Sequence, residues 1–187
     1  FSFLLIIVLA VVAAYFPDLI AGAPTAFLFE VSLFTAFLVL AIRPLADLFP
    51  NVPWLRPLVI LRKGFGVFSA SIIVAFMFGN VMSDAAGYFE SFFSLRHWSL
   101  EGYHILAPLA DVSAVILLAT SNKFSKRLLG ADWKRVQKLA YVYFYAGAFY
   151  EYLVLKLDFA LWLALIVFVL SVSAFVYKRL KVAPIPA

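Results

Sequence analysis

Two carboxylic acids lie inside hydrophobic stretches of this 187-residue sequence and are the first candidates for chemistry. Glu30 lies near the start of the apolar segment 25–42, and Asp111 lies about two turns into the segment 104–121. Ionisable groups in such segments are costly, face a bundle interior and often have a function. Two interpretations stay open: a shared proton, quinone or cofactor-propionate site, or two shallow acids that reach interfacial water or pair with a neighbour.

A second group of polar residues, His97, Glu101 and His104, lies close together along the chain. His97 and Glu101 are about one helical turn apart, which is a spacing that metal ligands use. No further convincing ligand accompanies them, so interfacial histidines are the favoured interpretation and no metal site is predicted. His104, at the start of an apolar segment, stays with Glu30 and Asp111 as a candidate cofactor ligand near one membrane face.

Catalytic signatures are missing from the sequence. There is no Cys, which excludes disulfides and thiolate ligands, and no phosphate-binding loop, zinc-protease motif or nucleophile elbow is present. We therefore predict that the chain has no catalytic activity of its own.

Aromatic side chains supply the candidate surfaces instead. The fifth apolar segment is rich in tyrosine, and the semi-polar connection 83–103 carries further rings. Tyr and Trp dominate binding hot spots, so a partner interface is predicted at Tyr88, Trp98, Tyr143, Tyr150 and Tyr152. The small residues Ala146-Gly147-Ala148 predict a notch that another backbone or a flat ring could approach.

The composition requires that these residues be held by membrane helices. Hydrophobic residues make up 66% and charged residues 13%, whereas soluble domains are near half apolar and a quarter charged. The mean hydropathy of +1.03 agrees, and a soluble fold with this surface would aggregate. The sequence predicts an all-α integral membrane protein, a single bundle of six transmembrane helices at about 1–16, 25–42, 58–82, 104–121, 136–155 and 159–177.

The loops between these helices differ in charge. Thirteen of the fifteen Lys and Arg residues fall on one side, and only Arg96 and Lys156 fall on the other. The positive-inside rule then predicts that both termini are cytoplasmic. The opposite, acidic side is assigned Asp18, Asp84, Glu90, Glu101, Glu151 and Asp158. Positive charge that sets topology gives no reason to expect nucleic-acid binding, and no basic aromatic groove is apparent.

Part of the sequence carries motifs that are more specific than its hydropathy. Its residues are Thr120-Ser121, Arg127-Leu128-Leu129-Gly130, Trp133-Lys134-Arg135 and Tyr141, with Arg43-Pro44-Leu45-Ala46, Leu61-Arg62-Lys63 and Gly66 upstream. Together they resemble the ferric-reductase-like transmembrane family, most closely the haem-binding membrane subunits of bacterial periplasmic methionine-sulfoxide reductase systems. The resemblance covers about residues 34–155 and implies a six-helix bundle in the bacterial inner membrane that holds b-type haem and transfers electrons.

The resemblance also implies where the haem ligands should be. The histidine positions of the family fall at Phe76, Gln137 and Tyr150, and none of these is histidine. Low-spin b haem needs two strong axial donors. Phe has no donor atom, Gln is a poor donor, and a single Tyr phenolate would make a different centre. The sequence therefore predicts a family fold that has lost its haem chemistry, with no cofactor of its own.

Three functions remain open. The favoured one is a haem-free accessory or scaffolding subunit of a larger membrane complex of the redox or energy-converting kind. Its partners would be other integral membrane subunits and lipids, with quinone or pigment in the interface. The first alternative is an electron-transfer subunit that binds haem b through non-standard ligands. The second is a quinone- or lipid-binding membrane protein.

Overall fold

A computed structural model describes the backbone of residues 23–182 and the side chains of residues 27–180. All regular secondary structure in this part is helical, and the predicted helix 1–16 lies outside it. The helices are α1 (Ala23–Leu48), α2 (Leu55–Ser83), α3 (Ala85–Phe93), α4 (Leu106–Thr120), α5 (Lys123–Leu129), α6 (Trp133–Val136), α7 (Leu139–Leu153) and α8 (Asp158–Val182). Short 3-10 turns at Glu101–Tyr103 and Gly130–Asp132 precede α4 and α6.

Four helical stretches of the described chain are long and apolar enough to cross a membrane. They are Phe27–Leu48, Leu55–Ser83, Glu101–Thr120 and Asp158–Leu180. The prediction of an all-helical chain with several membrane spans is confirmed to this extent. The predicted span 136–155 is shorter than expected, because α7 has 15 residues and a turn at Gln137 and Lys138 separates it from α6. Its length of about 22 Å is less than the hydrocarbon thickness of about 30 Å.

The first described helix extends further than the sequence indicated. A helix ending at residue 42 is predicted because Pro44 follows, yet α1 continues through Pro44 to Leu48. Proline cannot donate a backbone hydrogen bond in that turn. Neighbouring helices hold α1 on both sides of Pro44: Arg62 Nε of α2 donates to the Val39 carbonyl oxygen at 2.6 Å, and Lys178 of α8 forms an ion pair with Asp47 at 2.7 Å.

The five long helices close into a ring. Each neighbouring pair along the order α1, α2, α4, α7, α8 is in contact, α8 returns to α1, and α1 also contacts α7 across the ring. Small side chains, mostly alanine, make up much of the core, and Phe144 is the largest fully buried one. Helix association in lipid depends on close packing, since apolar surface gains little by leaving lipid. The ring therefore depends on these close contacts.

The connection between α2 and α4 has the aromatic character that the sequence predicted. Asp84 caps α3 by accepting a hydrogen bond from the Gly87 amide at 3.0 Å. Beyond the cap, the Tyr88 ring stacks on Phe92, the Phe92 ring meets Trp98 edge-to-face, and α3 packs mainly on the end of α2. Much of this aromatic surface is exposed on the acidic side of the bundle.

Candidate functional site

A cluster of three hydroxyl groups joins three helices in the middle of the ring. The Tyr143 hydroxyl of α7 lies 2.7 Å from Ser32 Oγ of α1 and 2.9 Å from Ser69 Oγ of α2. The two serine hydroxyls are 3.2 Å apart. Each serine also donates to the other's backbone carbonyl, with Ser69 Oγ to Ser32 O at 2.8 Å and Ser32 Oγ to Ser69 O at 3.1 Å. This hydroxyl cluster sets the register of α1, α2 and α7.

The hydroxyl cluster is inaccessible from outside the bundle. Ser32 and Ser69 are almost completely buried, and Tyr143 is 7% exposed. Each hydroxyl has hydrogen-bond partners, as buried polar groups require. Ser32 and Ser69 were not among the site residues predicted from the sequence. Their only signal was a short polar side chain within an apolar helix, which commonly marks an interhelical hydrogen bond.

A buried carboxylic acid lies two turns further along α7. Glu151 is eight residues after Tyr143, on about the same face of the helix, and it is only 5% exposed. Its Oε2 atom has no hydrogen-bond partner among the described residues. The sequence predicts Glu151 on the acidic side, within the helix 136–155, and the structure places it near the end of α7. Its side chain lies inside the bundle, because its face of α7 continues the buried face that carries Tyr143 and Ala148.

The two acids that the sequence selected surround this region from other helices. Glu30 of α1 is partly buried and close enough to Glu151 to repel it electrostatically. Asp111 of α4 is also partly buried and interacts electrostatically with Tyr143 and Tyr150. The ion pairs of the described chain, Arg135 with Asp132 and Lys178 with Asp47, involve none of these acids. Tyr143 thus interacts with two acids, Glu151 and Asp111, and Glu30 interacts with Glu151. We call the surroundings of these three acids the acidic region.

Tyr88 borders the acidic region from the connection between α2 and α4. Its hydroxyl is buried and has no hydrogen-bond partner among the residues described. Burial, and secondly the Asp111 carboxylate, raise the pKa of Tyr88 above its ordinary value. The Tyr88 phenol therefore stays neutral and keeps a proton to donate.

The positions that the family resemblance assigns to haem ligands do not form a haem site here. The Phe76 ring stacks on Phe29 of α1, with centroids 4.7 Å apart. Gln137 lies before the first residue of α7 and donates to Thr120 Oγ1 at 3.2 Å. Tyr150 lies near the other end of α7 and is partly buried. A carbon ring, an amide bonded elsewhere and a single phenol do not supply two strong axial donors, so these residues do not fit b-type haem.

The histidine group is peripheral. Glu101 and His104 are exposed, and His97 is partly buried in the aromatic connection. Partial burial, and then the nearby His104, lower the pKa of His97, which favours its neutral form. Within residues 27–180, no group of three or more His, Asp or Glu side chains is arranged to hold a metal ion.

The predicted partner residues differ in accessibility. Trp98 is exposed and donates its indole N–H to the Phe92 carbonyl at 2.8 Å, while Tyr88, Tyr150 and Tyr152 are partly buried. Tyr143 is different, because it is buried and held in the hydroxyl cluster, so its side chain is not available to a partner.

The predicted small-residue notch packs within the chain itself. Ala146 and Ala148 are buried, and a Cβ atom on Gly147 would meet Leu33 of α1 at 3.9 Å. The space that the notch leaves for a close approach is therefore used by the bundle's own helices.

No family model matches this sequence, and no solved protein structure matches the chain. The resemblance to the ferric-reductase-like family therefore rests on the motif residues named above and stays a prediction.

Proposed function

We propose that this chain is a haem-free accessory subunit of a larger membrane complex of the redox or energy-converting kind. In this proposal it keeps a ferric-reductase-like helix bundle, has no catalytic activity and uses its aromatic surface to bind other integral membrane subunits. Lipid, quinone or pigment molecules would lie in the same interface.

The stacked pair Phe29 and Phe76 is the observation that carries the proposal. In the family that the motifs resemble, the position of Phe76 belongs to a haem-ligating histidine. Here it holds a ring that packs on α1 at 4.7 Å and has no atom that could bind iron. Close packing by side chains at a former cofactor position stabilises a bundle that would otherwise contain a costly void.

The exposed connection between α2 and α4 supports the partner part of the proposal. Its large apolar side chains include Phe93, Leu95 and Leu100, which are 74%, 91% and 80% exposed. They stand beside Trp98 and the aromatic stack of α3, which is a concentration of rigid rings typical of binding hot spots. A second membrane subunit that packs on this surface would bury these side chains.

A reduced-minus-oxidised absorption spectrum of the purified full chain tests the proposal. We expect no b-type haem band, iron well below one atom per chain, and co-purification with other membrane subunits in mild detergent. Light scattering after size-exclusion chromatography measures the size of the complex. A monomer that carries its own redox spectrum would contradict the proposal and favour the alternative haem b electron-transfer subunit.

The family resemblance implies the bacterial inner membrane, and the charge asymmetry supports an orientation with the basic loops in the cytoplasm. Because the chain has no native cysteine, single cysteines can report on each side. Arg127→Cys in α5 and Glu90→Cys in α3 replace exposed residues on opposite sides of the bundle. We expect an impermeant maleimide outside intact cells to label only Glu90→Cys, with Arg127→Cys labelled after permeabilisation. The reverse pattern would invert the topology.

A further inference from the structure

We propose that Glu151 is a proton-binding site inside the bundle. One proton from water binds one carboxylate oxygen of Glu151, and no other bond changes. This inference does not require the accessory-subunit function, since it depends only on the acidic region of the described helices.

Glu151 is buried without a counter-ion or a hydrogen-bond partner for Oε2 among the described residues. The side chain is 5% exposed, its Oε2 atom has no hydrogen-bond partner among the described residues, and neither ion pair of those residues includes it. An ionised carboxylate in apolar surroundings without a counter-ion is far more costly than a neutral carboxylic acid. The protonated form therefore fits this environment, and it gives the unpartnered oxygen a hydrogen to donate.

The titratable groups around Glu151 also favour its protonated form. Glu30 faces Glu151 from α1 and adds negative charge, and Asp111 of α4 interacts with the same Tyr143 that Glu151 does. Tyr150 is the other titratable group of α7 that interacts with Asp111. At this end of the bundle α8 contributes Asp158, which is exposed, as is Lys156 in the preceding turn.

Glu30 is the acid of α1 that acts on Glu151. It is partly exposed whereas Glu151 is buried, and the two interact electrostatically. Like charges near each other oppose ionisation of both groups, so Glu30 adds to the cost of an ionised Glu151.

The chemistry favours a proton over a metal ion. The described His, Asp and Glu residues form no group of three or more arranged for a metal, and the hydroxyl groups of Ser32, Ser69 and Tyr143 are already bonded to one another. A single unpartnered carboxyl group, with one neighbouring acid, offers too few free oxygens for a cation that prefers six or more.

Labelling with dicyclohexylcarbodiimide tests the proposal, because this apolar reagent reacts with protonated carboxyl groups in membranes. The full chain is reconstituted in lipid vesicles, and modification of each acid is quantified by peptide mass spectrometry. At neutral pH we expect Glu151, whose apolar surroundings favour the neutral acid, to react at least about tenfold faster than the exposed Glu90. We also expect the reaction of Glu151 to slow as the pH is raised.

Two variants test whether the labelling occurs at Glu151. Glu151→Gln should abolish the labelling and Glu30→Gln should retain it at Glu151, with circular dichroism and size-exclusion chromatography confirming that both variants fold. Reaction at Glu151 no faster than at Glu90, or reaction that is independent of pH, would overturn the proposal. Suppression of the labelling by excess sodium at constant pH would overturn it in favour of a cation site.

Discussion

Replacing Phe144 by alanine is expected to destabilise the bundle by about 3 kcal/mol, the lower end of the range for removing a buried aromatic ring. Phe144 is 0% exposed in the centre of α7, and its ring packs edge-on against Tyr145 with centroids 5.3 Å apart. Removing the ring leaves a cavity whose lining atoms lose their dispersion contacts. The lower end of this range applies because the side chains of separated membrane helices are still surrounded by lipid. The free energy of transferring the ring from lipid to the bundle is therefore small.

Phe149→Ala is the matched control on the same helix. Its ring is 39% exposed, so the remaining side chains and lipid can occupy the space, and the loss should stay below about 1 kcal/mol. The free energy of unfolding is measured for both variants by titration with sodium dodecyl sulfate in mixed micelles. Equal losses would mean that the Phe144 side chain is not buried between the helices of the ring.

The sequence correctly predicted an all-helical chain with several membrane spans, but it predicted the helix ends poorly, as α1 and α7 illustrate. Hydropathy identifies a segment that suits lipid, but helix ends depend on hydrogen bonds from other elements. α1 passes Pro44 with contacts from Arg62 and Lys178 nearby, and these residues are more than 15 positions away in sequence. α7 begins three residues late because the turn after α6 separates the two helices.

The candidate site was predictable in part. Glu30 and Asp111 stood out because acids are rare inside apolar segments. Glu30 interacts with Glu151, and Asp111 interacts with Tyr143 and Tyr150, so a site shared by Glu30 and Asp111 stays a prediction. Glu151 was missed because its helix is apolar on all sides, so hydropathy gives no sign of which face is buried. That face is defined only by packing, through Tyr143 and its bonds to Ser32 and Ser69.

The buried carboxyl group of Glu151 should also lower the free energy of unfolding of the protein. A buried oxygen without a hydrogen-bond partner costs about 1–3 kcal/mol even when the group is neutral, and Oε2 is such an atom. Methionine has a similar length and flexibility and lacks the unpartnered oxygen. We therefore expect Glu151→Met to raise the free energy of unfolding by about 1–3 kcal/mol, measured in the same mixed micelles as Phe144→Ala.

The exposed acid Glu90 supplies the control for this substitution, since Glu90→Met removes no buried oxygen and should change stability by less than about 0.5 kcal/mol. Retaining a destabilising residue inside a bundle is characteristic of functional sites, where stability is given up for chemistry. If Glu151→Met were instead destabilising by several kcal/mol, the carboxyl group would have to be bonded in the membrane. Glu151 would then be a structural residue that holds α7 in place, and the proposal that it is a proton-binding site would be wrong.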